Sequence, residues 1–256
     1  MEPTMIKTKN NCIIVSSPDI KGGLGKTFIH AQCALAVAMF NKGMEVIIFD
    51  ADPQQSMIEL MADRDKNKLP KLPNLKIIKK ESDSTFAQDI LDASYTSDFI
   101  FIDTAGADNI DLTKVQYFSD IAYHLCDVSN VSTYKSKEFE VGILADINLR
   151  KKNGNPKSCV YKTFYNGISP IPNVAKKQLS KCRKPVDDLV ATGLIQQCDF
   201  NICRREPFTE CMNIGASIFE LDKANKILSY YNAKLEIKAL YLDFMNTRHN
   251  IIKTRG

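Results

Sequence analysis

Short β-branched and aromatic runs alternate along the chain with longer stretches in which apolar residues recur at helical spacing. Residues 12–16 (CIIVS) form the first run. A glycine-rich loop follows, then a small, apolar stretch (HAQCALAVAMF) within 27–41. The first predicts a buried strand and the second a helix ended near Gly43. Residues 45–50 (EVIIFD), 75–78 and 99–103 (FIFID) read as further strands. Continuous apolar runs of this kind are the pattern of strands covered on both faces. Residues 121–126, 159–164 and 198–203 add three more candidates. Helices are expected over 54–64, 86–94, 137–148, 173–183, 186–192, 206–215 and 222–247, with Pro185 separating the pair at 173–183 and 186–192. Pro70 and Pro73 in a charged stretch predict a loop over 64–74. Strands alternating with helices imply an α/β class: three layers, α/β/α, around a mostly parallel central sheet.

Composition narrows this picture. The 256 residues are 44% hydrophobic and 25% charged, which excludes a disordered chain, a collagen-like repeat and a minimal disulfide scaffold. One domain over 1–256 is expected, with a basic, more helical portion from about 150, because the connector at 150–158 is too short for a boundary. No uncharged apolar run reaches 18 residues, so no membrane-spanning helix is expected. The eight cysteines contain no CxxC pair, which argues against a zinc site. Set among apolar residues, they read as buried free thiols of a cytoplasmic protein.

The candidate chemistry lies at the strand ends. Lys21, Gly22, Gly23, Leu24, Gly25, Lys26 and Thr27 (KGGLGKT) join the first strand to the first helix. The ordinary phosphate loop, GxxxxGK[ST], has glycine where this chain has Ile20, so the general pattern misses. The context still fits. Glycines let the backbone bend around phosphates, and the helix N-terminus favours an anion. Lys26 would reach the β- and γ-phosphates of a bound nucleotide, and the Thr27 hydroxyl suits Mg²⁺. Asp50 and Asp52 (IIFDADPQ) and Asp103 (FIFIDTAG) end two strands, where an open parallel sheet places its chemistry. Asp103 has the context of a carboxylate acting on Mg²⁺ through water. Of Asp50 and Asp52, one can support the metal or loop while the other orients attacking water.

KGGxGKT, DxDPQ and a hydrophobic strand ending in DTxG, in this order, resemble the deviant phosphate-loop ATPases that include ParA-type partition proteins and MinD. The resemblance extends weakly through Asn201–Glu220 and is specific only in the front half. It implies a P-loop NTPase fold that binds ATP and Mg²⁺ in a homodimer. Lys21 would be the signature lysine reaching the partner subunit's phosphates. It further implies Asp52 as the water-positioning residue, with Asp50 and Asp103 on the magnesium side. Asn166 resembles a base-contacting position, although a turn with Gly167 would also account for it. Phe28, which follows Thr27 and is counted with the loop's nucleotide-binding residues, departs from the family's usual residues, as do Ile20 and Ala105. Weak hydrolysis stimulated by a partner protein, such as a DNA-binding adaptor, and non-specific DNA binding complete what the resemblance implies.

Charge adds a partner expectation. Residues 1–149 hold 15 basic and 21 acidic residues, a net of −6, whereas residues 150–256 hold 19 and 9, a net of +10. Lys176, Lys177, Lys181, Arg183, Lys184, Arg204, Arg205, Lys223 and Lys226 are candidates for a polyanion-binding surface, with Lys234 and Lys238 beyond them. Such a surface would suit DNA phosphates without base specificity and would allow nucleoid association. The alternatives are a conjugation accessory ATPase, a MinD-like membrane-surface ATPase, and a nucleotide-dependent polymer or scaffold. A metal-cofactor biosynthesis ATPase is disfavoured by the missing CxxC.

Overall fold

Ile13 and Val15 point to one side of the first strand and Ile14 to the other, and both sides are buried. This double burial repeats across the centre of the sheet in a computed structural model of the chain. The structure describes residues 11–18, 23–80, 85–104, 112–128, 132–155, 157–221 and 227–255. Strands β1 (Ile13–Ser16), β2 (Val46–Ala51), β4 (Phe99–Thr104) and β5 (Ile121–Cys126) are buried at every position. The edge strand β3 (Leu75–Lys79) is largely open to solvent. β6 (Val160–Ile168) is followed by two two-residue pieces, β7 (Gln196–Gln197) and β8 (Ile202–Cys203).

All of these strands pair in parallel, in the order β3-β2-β4-β1-β5-β6-β7, with β8 pairing β6. Parallel neighbours need long crossovers, and helices provide them. One layer holds α1 (Lys26–Phe40), α2 (Ser56–Lys66), α7 (Glu206–Ile214) and α8 (Leu228–Arg255). The other holds α3 (Phe86–Thr96), α4 (Leu112–Phe118), α5 (Ser132–Lys152) and α6 (Pro172–Ala191). This is the three-layer, parallel-sheet architecture of P-loop NTPases. In the first layer, Phe244 of α8 packs on Phe99 and Phe101, with ring centroids 5.0 and 5.6 Å apart. Among the described residues no helix is long and apolar enough to cross a membrane.

Several elements differ from expectation. Helix α6 runs unbroken through Pro185. Proline cannot donate to the carbonyl of Lys181, but Lys181 is exposed, where water can replace that bond. The buried stripe Cys182, Val186 and Leu189 holds the helix on both sides of the proline. The strand expected over 198–203 shrinks to the two residues of β8, and β7 lies just before that range. Helix α4 was not expected at all. The last helix continues to Arg255 because Ile251 stays buried and the Arg255 guanidinium bonds Asp120 and the carbonyl of Cys12. All eight cysteines are free thiols, six of them buried.

A buried clasp joins α2 to the end of α7. Arg64 grips both oxygens of Glu220 (2.6 and 2.7 Å) and also donates to the carbonyls of Gly215 and Pro70. Gly215 has φ +71°, and a Cβ there would lie 2.3 Å from the carbonyl oxygen of Leu60. Only glycine lets the two helices approach this closely.

Candidate functional site

Strand order reverses at β1. The chain builds outward through β2 and β3 on one side, and later through β5, β6 and β7 on the other. The C-terminal end of β1 is therefore the crevice in which an open α/β sheet binds ligands. The loop that follows enters α1 at that point. Gly23 and Gly25 have φ +75° and +82°, the left-handed region that side chains disfavour. Gly25 occupies the N-cap position of α1, so no side chain competes there for the first helical N–H groups. Those groups have no partners within the helix and suit an anion. Lys26 and Thr27 occupy the first turn, with Lys26 buried and Thr27 half-buried. Lys21 and Gly22 lie outside the described residues.

Asn166 braces this loop, and Phe28 fastens the helix that follows it. Asn166 on β6 donates its amide to the carbonyl of Leu24 at 2.6 Å. A Cβ on Gly25 would come within 2.7 Å of the same amide nitrogen. Asn166 thus sits against the loop backbone, while the following Gly167, at φ +74°, makes the bend its sequence suggested. Phe28, which stands where the family has a hydroxyl, packs on Phe208 of α7 at 4.8 Å. The departure fastens the first turn of α1 to α7. Further along α1, Gln32 donates to the carbonyl of Ala216 and accepts from the N–H of Ile218 (3.0 and 2.9 Å).

The carboxylates divide in role. Asp50 and Asp103 are direct neighbours in register on β2 and β4, and both are buried. Asp50 accepts from the backbone N–H groups of Met57 and Ile58 at 3.1 Å each, and so caps α2. Burial pushes its pKa up, the Ile58 N–H opposes this, and the Asp103 charge adds to the rise. Asp103 is fully buried. Its Oδ1 meets His30 Nδ1 at 3.3 Å, and its Oδ2 has no hydrogen-bond partner among the described residues. The neighbouring Thr104 hydroxyl is also buried without one. Asp52 stands apart from this pair. It lies past the end of β2, half-buried, and its Oδ1 accepts from the N–H of Gln54 at 2.9 Å. Gln55, next in that turn, holds a left-handed φ of +55°, uncommon for a residue with a side chain.

An orphaned buried carboxylate oxygen beside a second buried carboxylate fits a hard divalent cation. Among the described residues no three His, Cys, Asp or Glu side chains gather into a metal cage. Mg²⁺ typically takes one or two protein carboxylates and completes its shell with water and substrate phosphates. Asp103, through water, and Thr27 are the residues that would hold it, with Asp50 behind them.

The basic candidates separate into groups. Lys176, Lys177, Lys181, Arg183 and Lys184 are all exposed on α6, opposite its buried Cys182, Val186 and Leu189. Arg183 also pairs with Asp187 at 3.2 Å. Arg204 is exposed, whereas Arg205 is engaged by Glu236 at 2.6 Å and half-buried. Lys234 and Lys238 ride on α8, in the layer opposite α6. Lys223 and Lys226 lie outside the described residues.

A family model described as the CobQ/CobB/MinD/ParA nucleotide binding domain matches residues 16–250. Compared sequence against sequence, the chain matches no curated protein. Solved structures share its fold. The McdA(D38A)–ATP complex from Cyanothece superposes with TM-score 0.61 at 13% identity, covering 90% of this chain and 95% of that one. A putative plasmid partition protein from Borrelia burgdorferi B31, bound to AMPPNP, gives 0.59 at 16%, covering 91% and 99%. The MinD cell division protein of Aquifex aeolicus gives 0.59 at 20%, covering 92% and 97%.

Proposed function

The chain belongs to the CobQ/CobB/MinD/ParA nucleotide-binding family, and from that premise we propose that it is a partition-type ATPase whose ATP-bound dimer holds DNA without base specificity. The observation that carries the nucleotide reading is the buried, unpartnered Oδ2 of Asp103 at the strand ends beside the glycine loop. A charge left this way inside a protein is costly unless a cation meets it. Mg²⁺, when bound, would neutralise phosphate charge and favour attack by water. The chain's own residues do the positioning. The left-handed glycines shape the loop, Asn166 steadies it, Lys26 meets the phosphates, and Asp52, half-exposed at the rim, orients water. Lys21 would reach across to the partner subunit's nucleotide. The whole of 1–256 would act as one ATPase domain in the cytoplasm, with slow turnover that an activating protein raises.

The DNA reading rests on the exposed basic face of α6. Five cations on one solvent-facing surface suit a row of phosphates better than a specific base sequence. A MinD-like reading would lay an apolar helix face on lipid; on α8, Ile251 is buried and Ile252 packs against the core, so these two residues are not offered to a lipid surface.

Co-sedimentation with DNA in ATP, ADP or no nucleotide, at two salt concentrations, tests both parts. ATP-dependent, salt-sensitive pelleting is expected. Equal pelleting with ATP and ADP would refute the switch. Lys26→Ala should abolish ATP binding, whereas Lys21→Ala should disrupt the ATP-bound dimer more than monomer binding.

A further inference from the structure

His30 belongs to none of the motifs above, yet it touches the centre of the site. It lies one turn along α1 from Lys26 and is almost wholly buried. Its ring rests against Phe101 with centroids 6.1 Å apart. Nδ1 meets Asp103 Oδ1 at 3.3 Å, and Nε2 meets the Ser17 hydroxyl at 3.1 Å. A carboxylate only accepts, so Nδ1 carries the proton and donates it. In the neutral ring Nε2 then accepts from Ser17. The order Ser–His–Asp matches that of hydrolytic triads, but Ser17 is fully buried and cannot meet a substrate. The chain of bonds ends instead on Asp103, whose other oxygen has no hydrogen-bond partner among the described residues.

We propose that His30 is a positioning residue for the metal of the nucleotide site: it pins Oδ1 of Asp103 so that Oδ2 faces the Mg²⁺ hydration shell, and through Ser17 it ties that carboxylate to the entry of the phosphate loop. This rests on the ATP–Mg²⁺ reading above. It assigns a side chain on the phosphate-binding helix to the outer shell of the metal, where partners of ligating groups set orientation and affinity.

Binding of a fluorescent ATP analogue to the full chain, titrated with Mg²⁺ and repeated in EDTA, tests it. His30→Leu fills the space without either bond, and should raise the Mg²⁺ concentration for half-maximal effect by about 10–100-fold while leaving affinity in EDTA unchanged. His30→Asn, which can return an N–H near the Nδ1 position, should recover most of the wild-type response. His30→Gln, which reaches toward Ser17 instead, should not. A wild-type Mg²⁺ response in His30→Leu, or an equal loss with and without Mg²⁺, overturns the proposal. If His30→Leu fails to fold, the Asn and Gln variants decide, and equal Mg²⁺ responses in these two overturn it. A wild-type protein that binds the analogue with no response to Mg²⁺ overturns the metal reading and this role together. Normal Mg²⁺ dependence in wild type with no change in the variants overturns His30 alone.

Discussion

The side-chain amide of Asn166 holds the carbonyl of Leu24 at 2.6 Å, tying strand β6 to the phosphate loop far away in sequence. The same amide leaves no room for a side chain on Gly25. Asn166→Ala should weaken ATP binding several-fold, in keeping with one neutral hydrogen bond of about 1 kcal/mol. Gly25→Ala adds a collision and a disfavoured φ, and should abolish binding while circular dichroism stays that of the folded chain. Adding Asn166→Ala to Gly25→Ala removes the collision but not the backbone strain, so binding should return only in part. Full recovery in a fluorescence titration would show that the left-handed geometry of Gly25 is dispensable.

Arg64 is buried with five hydrogen bonds, two of them to Glu220. Arg64→Ala strands the Glu220 carboxylate inside the protein and should cost about 3–5 kcal/mol in a urea unfolding curve. Replacing both partners by apolar residues, Arg64→Met with Glu220→Leu, should recover much of that loss. A single variant no worse than the double would contradict the clasp.

How far the sequence disclosed this architecture depends on which signals are local. The strands β1, β2, β4 and β5 were legible because burial on both faces demands an unbroken apolar run. The glycine loop and the three carboxylates were legible because their residue types and order are constrained by the chemistry. His30 and Gln32 were not read as functional. Their signal was present, since they are the two polar side chains inside the run HAQCALAVAMF, but their partners lie on β4 and in the segment 216–218. The same applies to Pro185, whose local tendency to break a helix yields to the buried stripe around it. The helix expected to stop at 247 runs on to Arg255 because Ile251 and Arg255 have partners far away in sequence.

Alkaline pH should destabilise the fold. A thiol in the unfolded chain loses its proton near pH 9.0, and burial pushes Cys12 and Cys211 up to about 12. Between these values the unfolded chain releases protons that the folded one keeps, and this favours unfolding. The stabilisation these thiols contribute is complete below pH 9 and declines as pH rises toward 12. Urea midpoints measured across this window should fall, and Cys12→Ala with Cys211→Ala should flatten the decline. An unchanged slope would place its cause elsewhere.

The basic face of α6 predicts a particular salt dependence. Replacing Lys176, Lys177 and Lys181 by Ala should weaken DNA binding on every sequence alike. It should reduce the slope of log affinity against log salt by about one unit per lysine in phosphate contact. Since none of the three is in the nucleotide site, ATP affinity should stay at the wild-type value. Lys234→Ala with Lys238→Ala, on the opposite layer, provides the comparison. If only this second variant changes the slope, DNA lies along α8.

The parallel order of the sheet also governs when the site can exist during synthesis. β1 carries the phosphate loop, yet its neighbours come from much later in the chain: Ile13 aligns with Phe99, and Val15 with Ile121. β1 must wait for β4 at residues 99–104 before its first flank is available, and for β5 at 121–126 before its second. Such long-range pairings close slowly, and they leave an apolar edge open meanwhile. The loop that Asn166 braces waits longer still, for β6. A nascent chain released before β6 would carry the whole glycine motif and still lack the framework that gives it a shape.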